Sequence, residues 1–404
     1  MKKILVRAPL LTNSGYGVHS RQVFSWLLEE SKKRNFKIDV ECLNWGNCSW
    51  IVNESKEKGL VKEIMERSRP LSPPYDVTFQ IQLPDEWDPK LGKFNVGITA
   101  AVESDKCNPK WLDCCNKMDQ IVVPSTFTKN VLKRSGILLK KINVIPEWFH
   151  ETIENKDQLL SISQVAKLFK LDIEDVELNL STSFNFLTVG MLTHTDPKQD
   201  RKNLFNTISQ LCEKFKNNKE VGIVVKTSLG KNSAFDRKKT KQYFSQIAKA
   251  SKGNAEYPKI YLLHGDMTKE EIAALYKNKS IKCYVSLTRA EGYGLPLIEA
   301  AASGLPVITT NYSGHLEFLK GQKFLPVDYS MIEIPNEKVD DRIFIKNTKW
   351  AEPLKDSYFT KLNEVYYNYE YHKSNALEIS AYISENYSKN AIIQKYNKLF
   401  AEVI

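Results

Sequence analysis

The sequence predicts an α/β protein built as two doubly wound halves, each a parallel sheet with crossover helices. Strand-like apolar runs alternate with helix-like runs through most of the chain. That alternation lapses over residues 151–183 and then restarts. A chain of 404 residues also exceeds a typical single domain. Two domains of roughly 200 residues are therefore expected.

In the first half, Lys3–Ala8 reads as a strand, followed by a glycine-containing loop and a helix from about Val18 to Glu30. Further strands are expected over Lys37–Leu43, Asp76–Leu83, Asn95–Val102, Gln120–Val123 and Ile142–Ile145. Ser125 stands where an N-cap belongs, before a helix over Thr126–Arg134, and Gly136 stands where a glycine would end it. Residues 151–183 mix polar and apolar residues without a clear period and read as an interdomain connection.

The second half has expected strands at Asn185–Gly190, Gly222–Lys226, Lys259–His264, Lys282–Leu287 and Pro306–Thr309. A helix from Arg201 would place Leu204, Ile208, Leu211, Cys212 and Phe215 on one face. Thr268 and Glu271 have capping-box spacing and open a helix over Glu270–Lys277. Residues 329–353 are polar and irregular, and Tyr358 to Ile404 read as a helical tail. Two doubly wound halves place a ligand between them, at the carboxyl ends of the strands.

Composition bounds the function. No apolar run approaches the roughly 20 residues of a membrane span, and the start of the chain is too weakly apolar for a signal peptide. The seven cysteines are scattered without Cys-x-x-Cys spacing, which fits a reducing compartment and argues against a disulfide framework. The six histidines are equally dispersed, so a zinc site is not expected. A cytoplasmic protein follows. The net charge of +10 concentrates in stretches such as Lys129–Lys141 and Lys226–Lys241. It is consistent with a solvated lysine-rich surface, or with attraction to lipid head groups, nucleic acid or a phosphorylated glycan.

Residues 291–299, Glu-Gly-Tyr-Gly-Leu-Pro-Leu-Ile-Glu, carry the most chemistry. Two carboxylates flank a glycine turn that joins a strand to a helix running to Ser303 and closed by Gly304. Gly292 and Gly294 free the backbone and admit a ligand closely. Pro296 suits the start of a helix, whose first amides would attract phosphate. Side chains lean toward the helix N-terminus, so Glu299 points back at the same pocket. The pattern suits a phosphorylated sugar.

Glu291 and Glu299, with seven residues between them, resemble the E-x7-E motif of the retaining glycosyltransferases of family GT4. The resemblance extends to Ser286–Arg289, the run from Glu299 to Thr310, Ser313-Gly314, Val123-Pro124-Ser125 with Phe127, Arg201-Lys202-Asn203, Trp350-Ala-Glu-Pro353 and Glu385-Asn-Tyr-Ser388. Bacterial and phage members are the nearest in character. The resemblance implies the GT-B fold, two Rossmann-like domains facing across a cleft, with the last helix crossing back. On that pattern residues 1–170 with about 385–404 form the acceptor-side domain, and residues 180–384 form the donor domain.

The resemblance also implies roles. Glu299 would accept hydrogen bonds from ribose hydroxyls, and Glu291 would bind sugar hydroxyls and help hold the anomeric carbon. Amides of Gly292, Tyr293, Gly294 and Leu295 would touch sugar and diphosphate. Lys202 and Arg201 would neutralise charge on the departing diphosphate, because preorganised cations lower that barrier. The family's arginine after the first strand of the second domain is absent, since Met191 follows Gly190, so Arg201 or Lys226 takes that role. In the first domain Ser14-Gly15-Tyr16-Gly17 resembles the glycine loop facing donor and acceptor. Glu103 falls near a family histidine that touches the transferred sugar. His19, His194, His315, Trp87, Trp111 and Trp148 are candidates for cleft lining or for packing.

The sequence carries no Asp-x-Asp, and neither metal nor cofactor is expected beyond the nucleotide-sugar substrate. The expected activity is retaining transfer of a hexose to an acceptor hydroxyl of a surface glycan or lipid-linked saccharide, with a peripheral position on the inner membrane face as one expected location. The alternative acceptor is a hydroxymethylated base in phage-type DNA. An epimerase or phosphorylase, and a nucleotide-sugar-binding protein without activity, are the remaining readings.

Overall fold

The computed structural model describes residues 1–46, 48–100, 103–154, 180–229 and 233–404. The chain divides into two compact units. The first comprises Met1–Trp148, Val339–Thr348 and Lys389–Ile404, and the second Phe149–Lys338 and Lys349–Ser388.

The first unit is a six-stranded parallel sheet in the order β2-β1-β3-β4-β5-β6. Its strands are β1 Lys2–Ala8, β2 Phe36–Cys42, β3 Tyr75–Ile81, β4 Gly92–Ile98, β5 Gln120–Val123 and β6 Ile142–Val144. Successive strands step outward from β1 in both directions, which puts a switch point between β1 and β3. Ile4, Leu5 and Val6 are buried on both faces of the sheet, as a central parallel strand requires. The helix Gly15–Ser31 presents Trp26 to Phe79 and to Tyr396 and Phe400 of the final helix, Lys389–Phe400. Its indole N–H donates to Asn397 Oδ1 at 2.7 Å. That aromatic cluster ties the last helix to the first unit.

The second unit repeats the design, with order β12-β11-β10-β7-β8-β9. The strands are β7 Phe184–Val189, β8 Val221–Thr227, β9 Lys259–His264, β10 Ile281–Ser286, β11 Val307–Thr310 and β12 Leu325–Val327. β7 pairs with β8 on one side and β10 on the other, so the switch point lies between β7 and β10. Phe186, Ile208, Val225, Val285, Ile308 and Leu362 are among the side chains closing the core.

Several expectations are corrected. The helix assigned from Arg201 begins at Leu204 and runs to Lys214. Asp200 takes the backbone N–H groups of Lys202 and Leu204, and Asn203 turns left-handed at φ 55°, so Arg201 and Lys202 sit in a tight turn before the helix. Residues 329–353 are not irregular throughout. Tyr329–Glu333 and Lys349–Pro353 pair as an antiparallel ribbon, β13 and β14. The residues between them, Val339–Thr348, belong to the first unit, where Arg342 pairs with Asp85 and Glu86. The division between Trp148 and Phe149 falls earlier in the chain than residue 170. Most of the stretch read as a connection, residues 155–179, lies outside the described residues, as do residues 101–102 of the strand assigned over Asn95–Val102.

Candidate functional site

The 291–299 segment follows β10, beside the switch point of the second unit. Gly294 takes φ 103° and caps the helix Leu295–Ala302, with Pro296 at its second position. Leu297 and Ile298 donate their N–H groups to Gly294 O and Pro296 has none, so among the first-turn residues only Leu295 keeps an uncommitted amide. The phosphate-attracting contribution expected of this helix start is correspondingly narrow. The backbone of Gly292 lies under Gly314 so tightly that a Cβ on Gly314 would clash with Gly292 O. Tyr293 turns its ring onto Phe318, with ring centroids 5.3 Å apart, so its side chain serves packing.

Glu291 is buried and heavily partnered. Lys202 Nζ donates to Oε1 at 2.6 Å, Thr288 Oγ1 lies 2.9 Å from the same oxygen, and an Arg201 guanidinium nitrogen stands 3.3 Å from Oε2. Its backbone N–H donates to Ser313 Oγ at 2.9 Å. Burial pushes the carboxyl up, but the Lys202 and Arg201 charges and the Lys202 hydrogen bond together outweigh burial and hold it at about 2. Two cations thus face the Glu291 carboxylate. Thr188, Gly190, Lys202, Ser286, Glu291 and Gly294 line one concavity.

The turn carrying the two cations is braced from behind. Thr193 Oγ1 donates to Asp200 and accepts the N–H of Arg201. Arg289, buried against the Trp350 ring, donates to Glu352 at 2.7 Å and to the carbonyls of Pro197 and Asp200. Arg289, Asp200 and Thr288 went unassigned in the sequence. Asp200 had a readable signal, an aspartate four residues before the first helical leucine. Arg289 had none, because its acceptors lie about 60 to 90 residues away.

Glu299 sits one turn into the helix, half-buried, with Tyr276 Oη donating to it at 3.4 Å. Burial pushes its carboxyl up to about 7 against the opposing effects of Lys269, the Tyr276 hydrogen bond and Lys226. Lys226, near the end of β8, is close enough to interact electrostatically with Glu299 and Asp266, and burial lowers its pKa. The structure thus brings Arg201, Lys202 and Glu291 into one cluster and leaves Lys226 within electrostatic range of Glu299.

Gly15, Gly17 and Glu103 belong to the first unit. Ser14 Oγ caps the helix by accepting Gly17 N–H at 2.9 Å. A Cβ on Gly17 would clash with Thr12 O, whereas space around Gly15 is open. Gly17 is therefore a packing glycine, and Gly15 is the position that leaves room. Tyr16 stacks on Trp45 and bonds to Thr99. Glu103 is half-buried past the end of β4 and acts on Tyr16 electrostatically. His19 is buried with its pKa lowered to about 4 by burial, His315 is buried on Thr310 O, and His194 Nδ1 accepts Asp196 N–H. Trp87, Trp111 and Trp148 are buried core residues. Among the described residues no group of three or more His, Cys, Asp or Glu side chains is arranged to hold a metal, and no helix is long and apolar enough to cross a membrane.

Residues 202–334 match the family model for glycosyl transferases group 1. No curated protein matches the chain. A glycosyltransferase from Rickettsia africae superposes with TM-score 0.64 at 14% identity, over 100% of this chain and 98% of that one. Anabaena HepE, solved with UDP-glucose, gives 0.63 at 12% identity over 99% and 100%. Sucrose-phosphate synthase from Thermosynechococcus elongatus gives 0.63 at 11% identity over 100% and 99%. Two Rossmann-like parallel-sheet units, with the last helix in the first, give the chain the GT-B fold, and residues 202–334 resemble the glycosyl transferases group 1.

Proposed function

We propose that the chain is a retaining, metal-independent glycosyltransferase of the GT4 type, moving a hexose from a nucleotide sugar to an acceptor hydroxyl of a surface glycan or lipid-linked saccharide. The observation that carries this reading is the Lys202–Arg201–Glu291 cluster beside the switch point, with Lys202 and Glu291 inside the segment that matches the family model. Departure of a nucleoside diphosphate builds negative charge on phosphate oxygens. Lys202 and Arg201, fixed in advance by Glu291 and Asp200, offset that charge without reorganising during the reaction. Hydroxyls of the transferred sugar donate to Glu291, which is ionised at any working pH. Glu299 accepts from the ribose.

Glu291 is already engaged by two cations, and Asp200 is taken up by the backbone N–H groups of the turn. That favours front-face departure and attack, with the leaving phosphate taking the acceptor proton. Anabaena HepE was solved with UDP-glucose, which makes UDP-sugars the first donors to try. The test is turnover of Glu291→Gln and Lys202→Ala, each expected to fall by about two orders of magnitude or more with the fold intact. Unchanged transfer by both variants would sink the assignment. The net charge of +10 keeps hydroxymethylated DNA as a second acceptor class. Binding through phosphates weakens steeply with salt, so DNA retention that is absent or insensitive to salt removes it.

A further inference from the structure

The loop between the helix Thr126–Arg134 and β6 holds two aliphatic side chains out in solvent. Ile137 and Leu139 are each 80% exposed, more than any other large hydrophobic side chain among the described residues. The loop is built to display them. Leu138, between the two, turns inward onto the core cluster of Trp111, Leu112 and Cys115. Asn116 clamps the segment with both ends of its amide, donating to Ile137 O at 3.1 Å and accepting Leu139 N–H at 2.8 Å. A soluble surface gains nothing from fixing two aliphatics outward, because their exposure forfeits the transfer free energy that burial returns.

The surroundings are cationic. Lys133 and Arg134 end the preceding helix, and Lys140 and Lys141 follow the aliphatic pair. Among the described residues, none of Lys133, Lys140 and Lys141 is paired with a carboxylate. Arg134 donates its Nε to the carbonyl of Asp105. An aliphatic pair ringed by unpaired cations matches a bilayer interface, where hydrocarbon takes the side chains and anionic head groups meet the lysines. Nucleic acid would use the cations and leave Ile137 and Leu139 without purpose.

We propose that this loop docks the first unit onto an anionic lipid surface, with Ile137 and Leu139 entering the interface and Lys133, Lys140 and Lys141 contacting head groups. The docking goes beyond the transfer reaction, and its readout needs no turnover. The full chain is co-sedimented with vesicles of phosphatidylcholine alone and of equal parts phosphatidylcholine and phosphatidylglycerol. Wild type is expected on the anionic vesicles and not on the neutral ones. The variant Ile137→Ser/Leu139→Ser is expected to lose about tenfold or more in partitioning, and Lys140→Glu/Lys141→Glu a similar factor. Ile137, Leu139 and Lys141 are exposed and Lys140 is half-buried, and unchanged thermal unfolding midpoints verify the fold of both variants. Equal binding to both vesicle types, or full binding by the serine variant, overturns the proposal. So does salt-sensitive capture of duplex DNA by a chain that ignores anionic vesicles.

Discussion

Replacing Lys202 with Met keeps the aliphatic stem and removes the ammonium 2.6 Å from Glu291. Glu291 is held at about 2 against an ordinary 4.5. That difference corresponds to roughly 3 kcal/mol of stability at neutral pH. Arg201 remains beside the carboxylate, and Lys202 itself is not fully enclosed, so the substitution forfeits only part of it, about 1–2 kcal/mol. The sign fixes the pH window. A carboxyl depressed in the folded state contributes fully above its unfolded value of 4.5 and loses that contribution as pH falls toward 2. Urea unfolding of wild type and Lys202→Met should therefore differ fully at neutral pH, and the gap should narrow steadily below 4.5. A gap that stays constant with pH, or is absent at neutral pH, refutes the claim that Lys202 holds Glu291 ionised.

Glu299 titrates in the opposite sense. Its carboxyl is raised in the folded state to about 7, so ionising it costs stability above that pH and nothing below 4.5. Glu299→Gln should stabilise the chain at alkaline pH and leave it unchanged in acid, as read by thermal unfolding at both. Nucleotide-sugar affinity should strengthen as pH rises through about 7 in wild type and lose that dependence in the variant. Gly314→Ala pushes a Cβ into Gly292 O, and backbone cannot swing aside as a flexible side chain can. A loss of about 2 kcal/mol or more in urea unfolding is expected, together with loss of activity; a neutral effect would show that the 291–294 turn is not held by this contact.

The sheets were legible because parallel strands buried on both faces leave continuous apolar runs. Gln120–Val123 and Lys259–His264 have the bounds read from sequence. Local capping was equally legible: Thr268 and Glu271 form their capping box, and Ser125 accepts Thr128 N–H. The β13–β14 ribbon was not, because its strands are short, β13 buries no residue, and the two pair across an excursion into the other unit. The start of the 204–214 helix was misplaced because a left-handed Asn203 leaves no trace in hydrophobic spacing. At the site, the motif marked Glu291 and Glu299 but not their contrasting states. Both are glutamates of one short segment, 291–299. What separates them is the cation available to each, and the ammonium that meets Glu291 comes from 89 residues away in the chain.

Calorimetric titration of UDP-, GDP-, ADP- and dTDP-sugars into wild type and Glu299→Ala tests the central claim most directly. At least one of these donors should bind wild type, and the variant should weaken that donor by about tenfold or more, the worth of hydrogen bonds to a charged acceptor. Absence of binding by every donor, or equal affinity in Glu299→Ala, would contradict the assignment of the 291–299 segment to a nucleotide sugar.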